Sequence, residues 1–388
     1  MKKKRHLKTK KINPCNDEGL DCFVVGASRN DAVSSLNSQS PILNPCTSSL
    51  FSAVHHPVLA QTAVDGLAIK PSGFYVDATL GRCGHAMLIL QHLSSSGKLL
   101  GIDQDLAAIY AAREKLGTDE RVILHHGSFT ELKQLIQSHG KLGKVDGILL
   151  DLGVSSPQLD EAARGFSFLR EGPLDMRMNQ TVGETAAAWL QRATEKEMTD
   201  VLKTYGEERY AKSIARAIIE TRLTTPIQTT TQLAKLIEKT IPFREKHKHP
   251  ATRSFQAIRI YINRELDVLE QVLPQCLDVL AIGGRLAVIS FHSLEDRRVK
   301  QFIREQERGD DFPIGLPIRF TAIKRRLKSI GKAIKPTEAE IAQNPRARSA
   351  VLRIAEKVRI EGEADKGNAK HFPAERRAGM RGWGDASG

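Results

Sequence analysis

Two short segments of this sequence combine carboxylates with glycines in a pattern that can hold a nucleotide. The first, Asp77–His85, follows a β-rich apolar run and precedes apolar residues at helical spacing. Gly81 and Gly84 allow a close backbone turn, and backbone amides at the helix start can face a ligand. The second segment, Gly101–Asp105, closes a buried-strand pattern with acidic residues. Together they predict a cofactor pocket built from a strand, a loop, a helix and a second strand.

Asp103 is the acidic residue whose position is most informative. It lies 22 residues after Gly81, where dinucleotide-binding folds place the carboxylate that binds ribose hydroxyls. The diphosphate fingerprint Gly-x-Gly-x-x-Gly is absent, and the loop carries Arg82, Cys83 and His85 instead. This disfavours a nicotinamide-dependent oxidoreductase and favours S-adenosylmethionine, which has a ribose but no diphosphate. A glycine turn after a strand is common, so the loop alone would not establish a cofactor site.

Helical and strand-like patterns alternate as far as Asp151, which is typical of a parallel sheet with helices on both faces. The predicted helices are 58–68, 85–93, 105–116 and 130–138, and the predicted strands are 74–78, 98–103, 121–125 and 145–151. Ligands of such sheets bind at the carboxyl ends of the strands. We therefore expect four strand ends to converge on one crevice: Asp77, Asp103, Ser128–Phe129 and Asp151.

The alternation stops after Asp151. Helical patterns follow at 185–222, 230–239 and 255–280, and strand patterns return at 284–292 and at 350–354, the latter as a last edge strand. The sheet domain is thus predicted to be split around a helical unit. The predicted divisions are a disordered basic extension (1–53), a first part of the sheet domain (54–160), a helical substrate-recognition domain (161–270), a second part of the sheet domain (271–358) and a disordered tail (359–388).

Charge and composition restrict the partner and the compartment. The chain has 58 Lys and Arg against 45 Asp and Glu, a net charge of +13, which suggests a polyanionic partner. Its five cysteines lack metal-binding spacing, so reduced thiols in a cytoplasm are the simplest interpretation. No apolar run approaches the ~20 residues that span a bilayer. We expect a cytoplasmic protein without a membrane partner, and a homodimer is left open.

Longer motifs resemble those of one known family from about His55 to Glu356. The chain is similar to the bacterial 16S rRNA cytosine-N4 methyltransferases, the RsmH or MraW family. Many long segments in the same order make the resemblance highly specific. These segments are His56–Leu59, Asp77–Gly81, Asp146–Gln158, Arg164–Phe168, Gly172–Met178, Ala251–Ala257, Ser290–Arg297 and Asn344–Ser349.

The resemblance implies an α/β fold: a class I S-adenosylmethionine methyltransferase, Rossmann-like with a mainly parallel sheet, and an inserted all-helical domain. It implies methyl transfer to the N4 amine of a cytidine in the decoding centre of 16S rRNA, with the small ribosomal subunit as partner. The cofactor-binding positions carried over by motif are Cys83, Gly84, His85, Asp103, Phe129, Asp151 and Gln158. The family's loop usually has two glycines before the histidine, and Cys83 replaces the first. If that position needs a positive φ, cofactor affinity should suffer.

The implied reaction has a poor nucleophile, because the cytosine N4 lone pair is delocalised into the ring. In-line placement supplies much of the rate, and acceptors must hold the N4 hydrogens. We expect carbonyl or hydroxyl acceptors around Ser155 and Ser156, with Asp175 as a second candidate proton acceptor. A helix cap or a salt bridge with Arg177 is the competing interpretation of Asp175. A nonenzymatic RNA-binding or assembly protein on the same fold is the alternative function.

Other side chains are candidates for contact with RNA. Phe166 and Phe168 could stack on an extruded base, although a loop pair of phenylalanines more often forms a hydrophobic plug. His292 and Glu295–Asp296 lack the spacing of hydrolytic zinc sites, and methyl transfer needs no metal, so a site-wall role is preferred. His247 and His249 are interpreted as a solvated or anion-binding loop. Candidate phosphate contacts are Arg253, Arg259, Arg346, Arg348 and, as the strongest cluster, Lys324–Lys328.

Overall fold

A computed structural model describes residues 57–242, 249–309 and 324–360. The predicted disorder at 1–53, nearly all of the predicted tail, and His247 lie outside these residues. The described residues all belong to one compact unit, Ala53–Gly388. The elements are α1 (Ala60–Leu67), β1 (Phe74–Asp77), α2 (Gly84–His92), β2 (Lys98–Asp103), α3 (Leu106–Leu116), β3 (Val122–His126), α4 (Leu132–Ser138), β4 (Val145–Asp151), α5 (Ser156–Asp160), α6 (Ala186–Arg192), α7 (Glu195–Gly206), α8 (Ala211–Arg222), α9 (Thr230–Thr240), α10 (Thr252–Ile262), α11 (Glu265–Val279), β5 (Leu280–Ser290), α12 (Ser293–Arg308), β6 (Leu327–Ser329), α13 (Glu338–Gln343) and β7 (Val351–Lys357).

One seven-stranded sheet organises the described residues, in the order β3-β2-β1-β4-β5-β7-β6. Strands β1 to β5 run parallel, and β7 is antiparallel to both β5 and β6. The sequence predicted 350–354 as an edge strand. That detail is wrong, because β6 pairs with its outer side and forms the edge instead.

The central strands are buried on both faces, as expected for a parallel sheet between helices. Alternate residues enter separate hydrophobic clusters, as the two-residue period of a strand requires. Tyr75 and Leu149 pack on the face covered by α1, α2 and α3. Val76 and Ile148 pack on the opposite face with α4, α11 and α12. The predicted mainly parallel α/β architecture is confirmed.

The helices between α5 and β5 have a hydrophobic cluster of their own. The fully buried Trp189 lies in this cluster with apolar residues of α7 to α10. The single helical pattern predicted at 185–222 contains three helices, because Thr194 caps α7 and Glu207 ends it with a φ of 50°. The separate cluster supports a helical domain, while its boundaries at 161 and 270 stay predictions. No helix in the described ranges is both long and apolar enough to cross a membrane.

Candidate active site

The carboxyl ends of β1, β2 and β4 meet where the chain connections diverge from β1. The chain runs from β1 to β2 on one side, and β4 lies on the other side. Open α/β sheets bind ligands in the crevice at this switch point. Asp77, Asp103 and Asp151 end the three strands. The predicted convergence of these strand ends follows from the sheet order.

The Asp103 carboxylate organises the loop after β1. It accepts hydrogen bonds from the backbone N–H groups of Gly81 and Asp105, each at 2.8 Å. Gly81 has a φ of 50°, which glycine adopts without a Cβ penalty. Burial raises the pKa of Asp103 to about 6, although both amide hydrogen bonds act in the opposite direction. Each carboxylate oxygen keeps lone-pair capacity, so Asp103 can also accept from ribose hydroxyls.

Asp77 and Asp151 are the carboxyl groups that the protein leaves incompletely satisfied. One buried oxygen of each, Asp77 Oδ2 and Asp151 Oδ1, has no hydrogen-bond partner. Burial raises the pKa of Asp77 to about 7. Burial, together with the charges of Asp77 and Glu295, raises the pKa of Asp151 well above its ordinary value. Unpaired buried acceptors are costly, and a ligand with N–H donors and positive charge would satisfy both.

His85 lies in the first turn of α2 and approaches the Asp151 carboxyl. Its Nε2 is 3.2 Å from the Val58 carbonyl, which can only accept, so Nε2 carries the proton. Nδ1 lies 3.6 Å from Asp151 Oδ2. Burial lowers the pKa of His85 to about 4, which keeps the ring neutral near pH 7. His85 therefore lies beside the Asp151 carboxyl group but carries no positive charge that could compensate its ionised form.

The two positions before His85 have different backbone requirements. Cys83 is fully buried and adopts a φ of 67°, in the left-handed region. From the sequence we expected weaker cofactor binding if position 83 needs a positive φ. The structure shows that it does, and a non-glycine residue occupies it. A Cβ on Gly84 would lie 2.8 Å from the Pro57 side chain, so only glycine fits there without a shift. Burial raises the pKa of Cys83 to about 11, so its thiol is protonated and unreactive near neutral pH.

A buried polar network fixes the loop that follows β4. Gln158 donates to the Asp105 carboxylate at 2.8 Å, and its amide oxygen accepts from the Ser155 N–H at 2.9 Å. Arg164 binds the same Asp105 oxygen at 2.6 Å and the Met178 carbonyl at 2.9 Å. Both polar atoms of Gln158 are thus engaged within the protein. Neither Asp105 nor Arg164 is predicted as a site residue from the sequence, although Arg164 opens the motif Arg164–Phe168.

Family membership follows from comparison with known proteins. The model of the MraW methylase family matches residues 52–358. The chain belongs to this family. The Ribosomal RNA small subunit methyltransferase H of Pseudoalteromonas atlantica is 56% identical over 306 residues, covering 78% of this chain and 98% of that protein. The protein of the same name from Legionella pneumophila is 53% identical, covering 79% of this chain and 99% of its own length. The family and the methyltransferase class predicted from the sequence are confirmed.

The crevice of this methylase fits S-adenosylmethionine. A ribose would meet the Asp103 carboxylate, and the ammonium group of the methionine part would provide the donors that Asp77 Oδ2 and Asp151 Oδ1 lack. Phe129 lies in the 3₁₀ turn after β3 and is half-buried, so its ring is available as an apolar wall. Gly84 and Cys83 contribute backbone at the start of α2. These residue roles remain predictions.

The candidate proton acceptors differ in how the protein engages them. Ser156 opens α5, and its hydroxyl makes no hydrogen bond within the described part of the chain. Asp175 is buried and bound by both sides of the Arg177 guanidinium, at 2.7 and 3.0 Å, and by Gln180. Burial alone would raise the pKa of Asp175, but these hydrogen bonds lower it. The competing salt-bridge interpretation of Asp175 is therefore present, and its proton-acceptor role stays a prediction.

The aromatic and basic candidates for RNA contact differ in burial and in whether another side chain already binds them. Phe166 is buried in the helical cluster as a hydrophobic plug. Phe168 is half-buried and stacks on His249 at a centroid distance of 4.5 Å. The prediction that Arg259 contacts phosphate is wrong, because the two carboxylate oxygens of Glu265 accept hydrogen bonds from its guanidinium at 2.8 and 2.9 Å. Arg346 pairs with Asp160 at the surface. Arg348 and Lys324–Arg326 are exposed.

An acid cluster near the crevice contains the motif around His292. Ligand atoms of Glu265, His292 and Glu295 all lie within 4.8 Å of one another. Arg259 already supplies positive charge there through its pair with Glu265. Burial would raise the pKa of Glu295, but His292 and the charge of Arg259 lower it. The cluster connects α10 and α11 with the start of α12. This position agrees with the predicted role of the His292 motif as a wall of the site.

Proposed function

We propose that this protein methylates the N4 amine of a cytidine in 16S rRNA with S-adenosylmethionine as methyl donor. The observation that carries the proposal is the three-carboxyl crevice at the sheet's switch point, in a chain of the MraW methylase family. The relatives' name, with its reference to the small ribosomal subunit, supplies the RNA class. The cytoplasm, where ribosomal subunits are assembled in bacteria, is the proposed compartment. When bound, the cofactor supplies an electrophilic methyl group on a positively charged sulfur.

The three strand-end carboxyls divide the work of holding this cofactor. Asp103, already aligned by two backbone amides, accepts from the ribose hydroxyls and sets the position of the nucleoside. Asp77 and Asp151 accept from the ammonium group with their free oxygens. A positive ligand also lowers the cost of ionising both buried acids. Binding of the methyl donor is therefore coupled to the ionisation of Asp77 and Asp151.

The loop from Gly153 to Gln158 is the proposed site of the nucleophile. The Ser156 hydroxyl oxygen accepts a hydrogen bond from the N4 amine and increases the electron density on N4 at the moment of attack. The proton that N4 loses on methylation goes to Asp175, the candidate proton acceptor, or to solvent. Gln158 and Arg164 hold this loop through Asp105. Such placement matters because an in-line displacement depends on the alignment of nitrogen, methyl and sulfur.

Methylation by the purified protein tests the proposal. The protein is incubated with methyl-labelled S-adenosylmethionine and either naked 16S rRNA or assembled small subunits, and the nucleosides are separated by mass spectrometry. We expect N4-methylcytidine at one position with at least one of the two substrates. Binding of the RNA without any methyl transfer would favour the nonenzymatic alternative and contradict the proposal.

Substitution of the two candidate acceptors tests their roles. We expect Ser156→Ala to lower kcat about 10- to 100-fold, because a hydrogen bond to a group that becomes charged contributes about 1.5–3 kcal/mol. Thermal stability should change little, because the hydroxyl makes no hydrogen bond within the described residues. Asp175→Asn should lower kcat with little change in unfolding temperature if Asp175 accepts the proton, whereas loss of the salt bridge with Arg177 alone would lower the unfolding temperature. Ser167→Ala, in the neighbouring loop, is the control. Near-normal turnover of both Ser156→Ala and Asp175→Asn would refute the assignment.

A further inference from the structure

A second concave site opens at the β6 edge of the sheet. The cleft has a volume of about 240 Å³ and lies between α12 and the β6–β7 pair. Four cationic side chains line it: Lys300, Arg304, Lys332 and Arg353. Lys300 and Arg304 are four residues apart on α12, so they share one face of that helix. The cleft therefore collects positive charge from a helix, a turn and a strand.

Three of these cations have no counterion among the described residues. Lys300, Arg304 and Lys332 are exposed and form neither an ion pair nor a side-chain hydrogen bond within those ranges. Arg353, by contrast, donates to Asp296 at 2.7 and 3.0 Å. Concave walls of low dielectric focus the potential of such charges and attract anions.

Glu307 is the one acidic residue lining the cleft within the described ranges. Both of its oxygens accept hydrogen bonds from Ser329, from the backbone N–H and from the hydroxyl, each at 3.0 Å. The carboxylate is thus turned toward β6 and holds that strand against α12. Its charge reduces the positive potential but leaves it dominant, with three unpaired cations against one acid.

The basic surface continues beyond the cleft along the segment that leads into β6. Lys324 and Arg326 are exposed and form no ion pair in the described part of the chain. The Arg326 backbone N–H donates to the Gln306 carbonyl at 3.0 Å, which fixes this segment beside the end of α12. Unpaired cations therefore extend from the cleft along the sheet edge. A row of this kind matches the repeating charges of a nucleic-acid backbone better than a single small anion.

We propose that this cleft binds phosphates of the ribosomal RNA backbone outside the target nucleotide. The inference rests on the proposed function, since it takes rRNA as the substrate. Three strand spacings separate β4 from β6, roughly 14 Å at ~4.8 Å per spacing. The cleft therefore holds backbone that flanks the cytidine or approaches it in the folded RNA. Phosphate contacts fix register and orientation without reading sequence.

Charge removal tests this RNA surface. The triple variant Lys300→Gln, Arg304→Gln and Lys332→Gln keeps side-chain length and removes three charges. The control variant Arg113→Gln and Lys144→Gln removes two exposed cations that form no ion pair within the described ranges and that lie in the sheet domain, outside both the cleft and the predicted substrate-recognition domain. Affinity for S-adenosylmethionine and the unfolding temperature should stay unchanged in both variants.

We expect the cleft variant to raise KM for the RNA substrate at least 10-fold with kcat within twofold, and the control to change neither. The salt dependence of RNA binding should become shallower by about 2 in log–log slope, since each lost contact removes about 0.7. Lys332→Glu alone should weaken binding further than Lys332→Gln. Equal RNA affinity and equal salt slopes for the cleft and control variants would overturn the inference. The cleft would then be free to bind another anion, such as an acidic protein partner.

The test separates this inference from the proposed function. If the wild-type protein transfers no methyl group, the proposed function fails, whereas the RNA affinities and salt slopes still decide the role of the cleft. If the wild-type protein methylates RNA and the cleft variant keeps a normal KM, the cleft proposal alone fails.

Discussion

The most consequential single residue is Asp77, a fully buried carboxyl group with an unpaired oxygen. Burial raises its pKa to about 7 in the folded protein, whereas an unfolded chain ionises aspartate near 3.9. The folded state therefore holds the proton more tightly. The stability that this group contributes is full below about pH 4 and is lost as pH rises through about 7.

We predict that Asp77→Asn raises the unfolding temperature of the cofactor-free protein, by more at pH 8 than at pH 5, because it removes a buried charge that the free protein does not pair. The same change should weaken S-adenosylmethionine binding. Thermal unfolding at both pH values and calorimetric titration measure the two effects. Asp65→Asn, an exposed carboxyl on α1, is the control. A variant less stable than the wild type at pH 8 would refute this account of Asp77.

Cys83 illustrates backbone strain at residue scale. Its φ of 67° costs an L-residue roughly 1–2 kcal/mol, and a β-branched side chain tolerates this region least. We predict that Cys83→Gly binds S-adenosylmethionine at least as tightly as the wild type, whereas Cys83→Val unfolds at lower temperature and binds more weakly. Ala86→Val, in the helix that follows Cys83, introduces the same side chain at a buried helical position and so separates the effect of bulk from that of backbone strain. Equal behaviour of the glycine and valine variants at position 83 would contradict the strain argument.

At the scale of elements, the Asp105–Arg164 pair connects α3 to the segment after α5. Both side chains are nearly buried, and breaking a buried pair leaves an uncompensated charge that costs about 3–5 kcal/mol. We predict that Asp105→Ala lowers the free energy of unfolding by that order. Lys133→Ala, which breaks an exposed pair with Asp278, should cost under about 1 kcal/mol. Urea denaturation compares them, and similar losses in the two variants would show that the network is unimportant.

The elements also show which parts of the fold could be predicted from sequence. Strands β1, β2 and β4 have apolar patterns that end in carboxylates, so local sequence was sufficient. Strand β6 has only three residues, Leu327–Ser329, and follows a charged run; pairing with β7 rather than its own pattern makes it a strand. The Asp105–Gln158–Arg164 network joins residues more than 50 positions apart. No periodic pattern reports a contact of that kind.

At the scale of the whole molecule, the parallel sheet brings separate strand ends into one crevice and leaves a basic cleft at its β6 edge. In our proposals the crevice holds the methyl donor and the cleft holds the RNA backbone, and one sheet fixes the distance between them. The sequence revealed the crevice because the alternating patterns indicated parallel strands, whose carboxyl ends lie along one edge of the sheet. It indicated only the neighbouring basic segment Lys324–Lys328, because the cations that line the cleft come from a helix, a turn and a strand.

The central claim is the methylation of one cytidine in 16S rRNA, and mapping modified nucleosides in cells tests it most directly. Small-subunit rRNA is analysed by mass spectrometry from cells that lack this protein, and from the same cells given the wild type, Asp103→Ala or the control Asp65→Asn. Asp103→Ala should lose a charge-assisted acceptor of about 1.5–3 kcal/mol, and with it efficient cofactor binding. We predict that one N4-methylcytidine disappears and returns with the wild type and Asp65→Asn, but not with Asp103→Ala. An unchanged modification map in cells without the protein would contradict the account.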